Sequence, residues 1–369
     1  MDQTIDLPKV EWSPGEADQL LNWFGIYKRD LPWRRLQGDP YAVWISEIML
    51  QQTQVATVIA YFNRWMERFP TVDVLASSPI EDVLRQWEGL GYYARARNIH
   101  RAANEIVEGF GGKVPSNADD LGSLPGIGPY TQGAILSIAF NQRVPIVDTN
   151  VERVLSRRFC IDGDPKSPSV KASIWRFAEA ILPDHSAREF NSALMELGAL
   201  VCRPVDPSCA VCPMMANCCA AKTGNPSAWP MLAPSKRTVR VQQACVAIQD
   251  NGKWLMTRRP LNGLWGGLWE FPRTEVLSGE TPESAAIRAA HEITEVSVEL
   301  IDEPFVVKHA VMHYGIELSG WIGHLSGGNK SINANIEHRW VSFQEMQELP
   351  LTSPQRKLSD KIYKRIKSS

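Results

Sequence analysis

Leu124-Pro-Gly-Ile-Gly-Pro-Tyr-Thr131 is the stretch of this 369-residue chain that decides its fold. Two glycines stand two residues apart, Gly126 and Gly128, and Pro129 follows at once. Glycine tolerates the backbone of a tight turn, and proline is accepted in the first turn of a helix, where its missing N–H would have no partner. The stretch therefore predicts a helix ending near 120–123, a sharp hairpin, and a second helix beginning at Pro129. Backbone N–H groups at such a helix start form a natural seat for a phosphate, unless the segment is only a plain connection between two helices.

Working outward, Val147-Asp-Thr-Asn-Val-Glu152 begins shortly after that hairpin, with Asp148 twenty residues beyond Gly128. Asp148 or Thr149 reads as a helix N-cap, and Thr149 and Glu152 have capping-box spacing. Asp148 is thus either a cap or a carboxylate kept for chemistry. Upstream, Trp44-Ile-Ser-Glu-Ile-Met-Leu-Gln-Gln-Thr53 sets Glu47 in an otherwise apolar helical segment. A carboxylate so placed lies on a solvent stripe or sits in an apolar pocket with a raised pKa. Two carboxylates in contrasted settings suit the cleavage of a glycosidic bond, one as acid and one stabilising an oxocarbenium-like centre. Downstream, Cys202, Cys209, Cys212 and Cys218 are separated by six, two and five residues. Four thiolates suit zinc or an iron–sulfur cluster. Only Cys209 and Cys212 form the close pair that structural zinc usually uses twice, so the spacing favours [4Fe–4S]. Cys160, Cys219 and Cys245 read as small buried apolar residues.

Residues 17–220 read as almost entirely helical, with apolar residues at three- and four-residue steps across 43–69 and 81–109. Residues 221–237 form a proline-rich linker. Beyond it the texture changes to short β runs at 239–249, 253–258, 299–309, 314–325 and 339–341, with one helix near 282–294. The expected architecture is an all-α domain over 1–220 and a smaller α+β domain over 238–369. The 44% hydrophobic content excludes a mainly disordered chain, and no apolar run is long enough to span a bilayer. The beginning of the sequence lacks the look of a secretory signal. A cytoplasmic, nucleoid-associated, bacterial-type chain without a signal peptide is expected, with no membrane partner and a monomeric state. The net charge of −2 leaves any phosphate-binding surface local, with Arg95, Arg97, His100 and Arg101 as the cluster to look for.

Taken together, the hairpin, the aspartate twenty residues on and the cysteine spacing resemble the helix–hairpin–helix DNA glycosylases related to endonuclease III. Two further segments, Ser46-Glu-Ile-Met-Leu-Gln-Gln-Thr-Gln-Val55 and Trp87-Glu-Gly-Leu-Gly-Tyr-Tyr-Ala-Arg-Ala-Arg-Asn98, resemble the adenine DNA glycosylases of the MutY type. The resemblance covers almost the whole chain. It implies an N-terminal all-α helix–hairpin–helix glycosylase fold with an iron–sulfur cluster module, followed by a Nudix-like α+β domain. It implies removal of adenine paired with 8-oxoguanine or guanine in double-stranded DNA. Glu47 would protonate the adenine, Asp148 would stabilise the positive sugar, and Tyr130 and Asn150 would complete the pocket. Gln51 and Tyr92 would enter the duplex, with Arg34, Arg95, Gly126 and Gly128 as further DNA contacts. The four cysteines would hold [4Fe–4S]. Thr149 and Ser192 depart from the family pattern beside the pocket.

Tyr130 stands where strand-nicking relatives carry a lysine for Schiff-base chemistry, which a phenol cannot perform. A monofunctional glycosylase is therefore expected, against the alternatives of an endonuclease III-like pyrimidine-lesion glycosylase-lyase or a non-catalytic DNA-binding relative. Gly279-Glu-Thr-Pro-Glu-Ser-Ala-Ala-Ile-Arg288 resembles the start of a Nudix box, but Ala289 and Ile293 replace two carboxylates that would hold Mg²⁺. A Nudix fold reused for binding is expected. Its lesion-reading loop would be Val311, Met312 and His313, with Met312 where a hydroxyl residue is usual.

Overall fold

The computed structural model describes residues 12, 14–233, 238–261, 263, 265–295, 297–311, 313–326, 332 and 335–368. The chain forms two compact units. One holds the residues up to Ser77 and those from Arg101 to the linker; the other holds Ser78–His100 and the chain beyond the linker. The sequence-based boundaries put all of 1–220 in one domain, whereas Ser78–His100 clusters with the C-terminal half. No helix among the described residues is long and apolar enough to cross a membrane.

The helices before the linker are α1 (Pro14–Tyr27), α2 (Pro40–Leu50), α3 (Val55–Arg68), α4 (Val72–Ser77), α5 (Ile80–Gln86) and α6 (Ala94–Phe110). They continue as α7 (Ala118–Ser123), α8 (Pro129–Ala134), α9 (Thr149–Phe159), α10 (Pro168–Ile181), α11 (Ala187–Leu200) and α12 (Cys219–Lys222). In α3, Val58, Phe62 and Trp65 fall on one stripe and are buried, as the helical period requires. In α2, every residue from Tyr41 to Met49 is buried, Glu47 among them. The core of the first unit joins Leu20 and Phe24 of α1, Val154 and Leu155 of α9, and Phe190, Leu194 and Leu197 of α11. Helix α8 follows the expected hairpin and passes into a buried π turn, Ile135–Ala139. The linker begins later than the sequence suggests. The Trp229 carbonyl accepts from Arg157 Nε at 2.9 Å and its indole donates to Asp162 at 3.0 Å, so residues up to 229 are tied to the helices.

In the second unit, the sheet runs β3 (Trp269–Glu270), β2 (Lys253–Arg258), β1 (Val239–Asp250), β6 (Tyr314–Leu325), β5 (Val298–Val311). Strand β4 (Arg273–Glu275) pairs with β1, and β7 (His338–Val341) pairs with β2. β1 and β6 are parallel, whereas β5 and β6 form an antiparallel hairpin with an irregularity between Ile301 and Phe305. Helix α13 (Pro282–Thr294) presents buried Ala285, Ala286, Ala289 and Ala290. Helices α14 (Phe343–Glu348) and α15 (Ser353–Ser368) supply Met346, Leu358 and Ile362 to a core with Trp269 and Phe271. The three long runs, β2 and α13 fall where the alternation and the Pro-led helix pattern put them. The short β3 and β4 carry no period of their own and were not foreseen.

Candidate active site

Glu47, Gln51, Tyr130, Asp148 and Asn150 line one cleft of about 770 Å³ in the first unit, within the roughly 300–1,000 Å³ of small-molecule sites. Glu47 comes from α2, which is buried all round, and is 5% exposed. Its Oε2 accepts from the Tyr130 hydroxyl, the single side-chain hydrogen bond of Glu47 among the described residues. Burial pushes its pKa up to about 7; the Tyr130 hydrogen bond opposes that shift and the Asp148 charge adds to it. Tyr130 itself is held well above the ordinary phenol range by burial and by the two carboxylates.

Asp148 is the N-cap of α9, and the capping box suggested for Thr149 and Glu152 gives way to it. Its Oδ1 accepts from the backbone N–H of Asn150 at 2.9 Å and of Val151 at 2.7 Å. Its Oδ2 accepts from Asn150 Nδ2 at 2.7 Å. Burial raises the Asp148 pKa, while these donors and Arg153 pull it down. Asn150 in turn accepts from Arg153 at 2.9 Å, and Arg153 donates to the carbonyls of Gly198 and Cys202. The carboxylate is thus fixed through two side chains to the cysteine loop.

Two glycines allow this approach. A Cβ on Gly198 would lie 2.5 Å from Asn150 Cβ, and one on Gly133 would lie 2.6 Å from the Pro145 carbonyl oxygen. Asn191 holds the segment before Asp148 by donating to Ser137 Oγ at 2.7 Å and to the Val144 carbonyl at 2.9 Å.

Glu196 was not singled out from the sequence. It lines the cleft, is 1% exposed, and accepts from Arg29 and Arg34. Burial works against its charge, but those two arginines outweigh it and hold the carboxyl near 2. The available signal was one acidic residue inside the apolar run of α11. Arg34, expected on DNA, is committed to Glu196 and to the Arg29 carbonyl. It faces the cleft as part of an ion pair, because a buried carboxylate requires a partner.

Tyr92 and Arg95 belong to the second unit. Tyr92 is 40% exposed and sits at φ +49° after Gly89 at +100° and Gly91 at +72°. A left-handed tyrosine is strained by about 1–3 kcal/mol. Arg95, also expected on DNA, donates to the carbonyls of Leu90 and Gly91 at 2.9 and 3.2 Å and lies over the Trp87 ring. It braces the turn from inside. In the hairpin, Gly126 adopts φ +79° and Gly128 caps α8. Gln51 donates to Thr131 Oγ1 at 3.3 Å.

Cys202, Cys209, Cys212 and Cys218 line a common cavity with Arg157 and Met214. Among the described residues no group of three or more His, Cys, Asp or Glu side chains is arranged to hold a metal ion. Burial pushes Cys212 up to about 12 and raises Cys218 as well. Cys160 and Cys219 are not isolated buried apolar residues; they form a disulfide between the end of α9 and the start of α12. Cys245 is buried in the sheet core as expected.

In the C-terminal unit, Val311 ends β5 and pairs with Tyr314 across the hairpin. The His313 ring lies 4.1 Å from that of Tyr314, and its carbonyl accepts from Val239 N–H at 2.8 Å. Met312 lies outside the described residues. Glu280 and Glu292, remnants of the degenerate Nudix box, are both paired with Arg288.

Residues 45–180 match the HhH-GPD superfamily base excision DNA repair protein, and residues 243–361 match the NUDIX domain. An adenine DNA glycosylase of Rattus norvegicus is 35% identical over 395 residues, covering 92% of this chain and 76% of the relative. The adenine DNA glycosylase of Buchnera aphidicola subsp. Baizongia pistaciae is 32% identical, covering 94% of this chain and 96% of its own. This chain belongs to the adenine DNA glycosylase family. Membership makes it a DNA repair glycosylase that hydrolyses N-glycosyl bonds. The adenine DNA glycosylase of Homo sapiens is 40% identical over 69% of this chain and 56% of its own length. The solved structure of a thermostable thymine-DNA glycosylase matches 56% of this chain and 95% of its own, at a TM-score of 0.51 and 28% identity.

Proposed function

We propose that this adenine DNA glycosylase family member flips adenine out of double-stranded DNA, opposite 8-oxoguanine or guanine, and cleaves its N-glycosyl bond without nicking the strand. The observation that carries the reading is the meeting of Glu47 and Asp148 on one cleft, with Glu47 raised to about 7 and Asp148 fixed by three donors. Near neutral pH a large share of Glu47 holds its proton and can give it to the leaving base as general acid. Tyr130 occupies one carboxyl oxygen and leaves the other for the base. Asp148, held between its donors, stabilises in its carboxylate form the positive charge developing on the sugar. Asn150 keeps that carboxylate oriented, and Gln51 and Tyr92 fill the space the adenine leaves. The hairpin at Gly126 and Gly128 receives a backbone phosphate.

Cys202, Cys209, Cys212 and Cys218 would hold one [4Fe–4S] cluster. Their donor chemistry fits it: four cysteine thiolates are the ligand set of such a cluster, and the four residues line one cavity. The cluster would supply structural support to the loop that Arg153 and Arg157 grip. In the C-terminal unit His313, with Val311 and Met312, would read the base opposite adenine.

Single-turnover release of adenine from duplexes with either opposing base tests this reading. Glu47→Gln should abolish release while DNA binding persists, since protonation is needed in the transition state and not in the ground state. Near wild-type release by Glu47→Gln would remove Glu47 as the acid. His313→Ala should lower the 8-oxoguanine-to-guanine rate ratio several-fold, as expected for one lost hydrogen bond of about 1 kcal/mol; an unchanged ratio would take lesion reading away from this loop. Nicking of pyrimidine-lesion DNA by the wild type would favour the glycosylase-lyase alternative.

A further inference from the structure

The turn that carries Tyr92 is built on both sides into the C-terminal half of the chain. Four residues before Tyr92, Glu88 forms a two-pronged ion pair with Arg356 of α15, at 2.7 and 3.0 Å. Arg356 also donates to the Leu349 carbonyl at 2.7 Å, so its guanidinium is held in place before it meets Glu88. Five residues after Tyr92, Arg97 donates to the Gly266 carbonyl at 2.6 Å. Beside these anchors the Trp87 indole donates to the Gly91 carbonyl at 3.0 Å. A partly exposed tyrosine at positive φ keeps its direction only where its surroundings over-determine it. Here half of those surroundings lie more than 160 residues further along the chain.

We propose that the C-terminal half of the chain is the holder of the Tyr92 turn, with Glu88 and Arg356 acting as positioning residues for the aromatic that enters the duplex. The inference rests on the proposed reading of Tyr92 as that aromatic. It gives the C-terminal half a second task, separate from reading the opposing base: it sets where the wedge stands whichever base is opposite. Glu88→Ala should therefore slow adenine release by a similar factor against both opposing bases, whereas a change in the lesion-reading loop alters their ratio.

The test uses the full-length protein with Glu88→Ala, Tyr92→Ala and the double variant. Hydrogen exchange of residues 87–95 in the DNA-free protein reports the turn. Single-turnover release, and the fluorescence of 2-aminopurine beside the target adenine, report the wedge. Glu88→Ala should speed exchange of the turn, cut release about tenfold and diminish the unstacking signal. The double variant should be no slower than Tyr92→Ala alone, since a misplaced side chain that is absent cannot be missed twice. Arg356→Lys should recover part of the release lost in Arg356→Ala, because it restores the charge without the two-pronged geometry. Unchanged exchange in Glu88→Ala, or losses that multiply in the double variant, would overturn the inference. Faster exchange in Glu88→Ala together with wild-type release by Tyr92→Ala would instead overturn the reading of Tyr92 as the wedge, and the positioning role with it.

Discussion

Glu47 carries a proton further into the alkaline range than an ordinary carboxyl, and this has two consequences, both of which diminish as pH rises. In the proposed reading the protonated form is the acid, so adenine release should be level well below pH 7, halve near 7 and fall about tenfold per pH unit well above it. Tyr130 lowers the Glu47 pKa through its hydrogen bond. Tyr130→Phe should therefore move the alkaline limb to higher pH; a limb moving to lower pH, measured under single turnover, would show that the titrating group is not Glu47. For stability, the folded pKa of about 7 lies above the ordinary glutamate value of 4.5. The folded state binds the proton more tightly, so this contribution is full below the unfolded value and is gone once pH has risen through the folded one. The difference amounts to about 3 kcal/mol by that shift, and Glu47→Gln should narrow the drop in Tm between pH 5 and 8.

Among the elements, α9 joins the cleft to the disulfide, with Asp148 capping its start and Cys160 following its end. It packs against α11 closely enough that only glycine fits at 198, where a Cβ would stand 3.0 Å from Asn150 backbone atoms. Backbone cannot swing aside as a long side chain can. Gly198→Ala should cost about 1–3 kcal/mol as overpacking and slow base release more than it weakens DNA binding, because Asn150 and with it Asp148 must move. Thermal melts beside single-turnover rates would check both halves; a melt unchanged from wild type would mean that the helices separate freely.

Over the whole molecule, what could be read from the sequence is what depends on neighbours along the chain. Asp148 announced itself through capping, Glu47 through its apolar surroundings on one helix, and β1, β2, β6 and α13 through period and proline. Glu196 and Arg34 could not be matched, since their pairing joins residues 162 positions apart and neither has a local pattern. The Ser78–His100 segment reads as ordinary helix by period, and nothing in that period records that Glu81 and Glu88 meet Arg339 and Arg356. β3 is two residues long and owes its pairing to β2. Arg95 shows the limit from the other side. A basic cluster suggested a surface for phosphate, but a turn with three left-handed residues needed its internal carbonyls satisfied first.

The bond between Cys160 and Cys219 turns 59 residues of sequence separation into a closed covalent loop. All four cysteines proposed to hold a cluster, at 202, 209, 212 and 218, lie on that loop. The loop has no free end inside it, so a single cut in its backbone cannot divide the molecule. A protease nick anywhere between 161 and 218 should leave a band of full-length mass on a non-reducing gel and two fragments once a reductant is added. Two fragments without reductant would mean that the link is not formed in solution. With the link in place, the segment carrying these four cysteines can be severed and still remain attached at both of its ends.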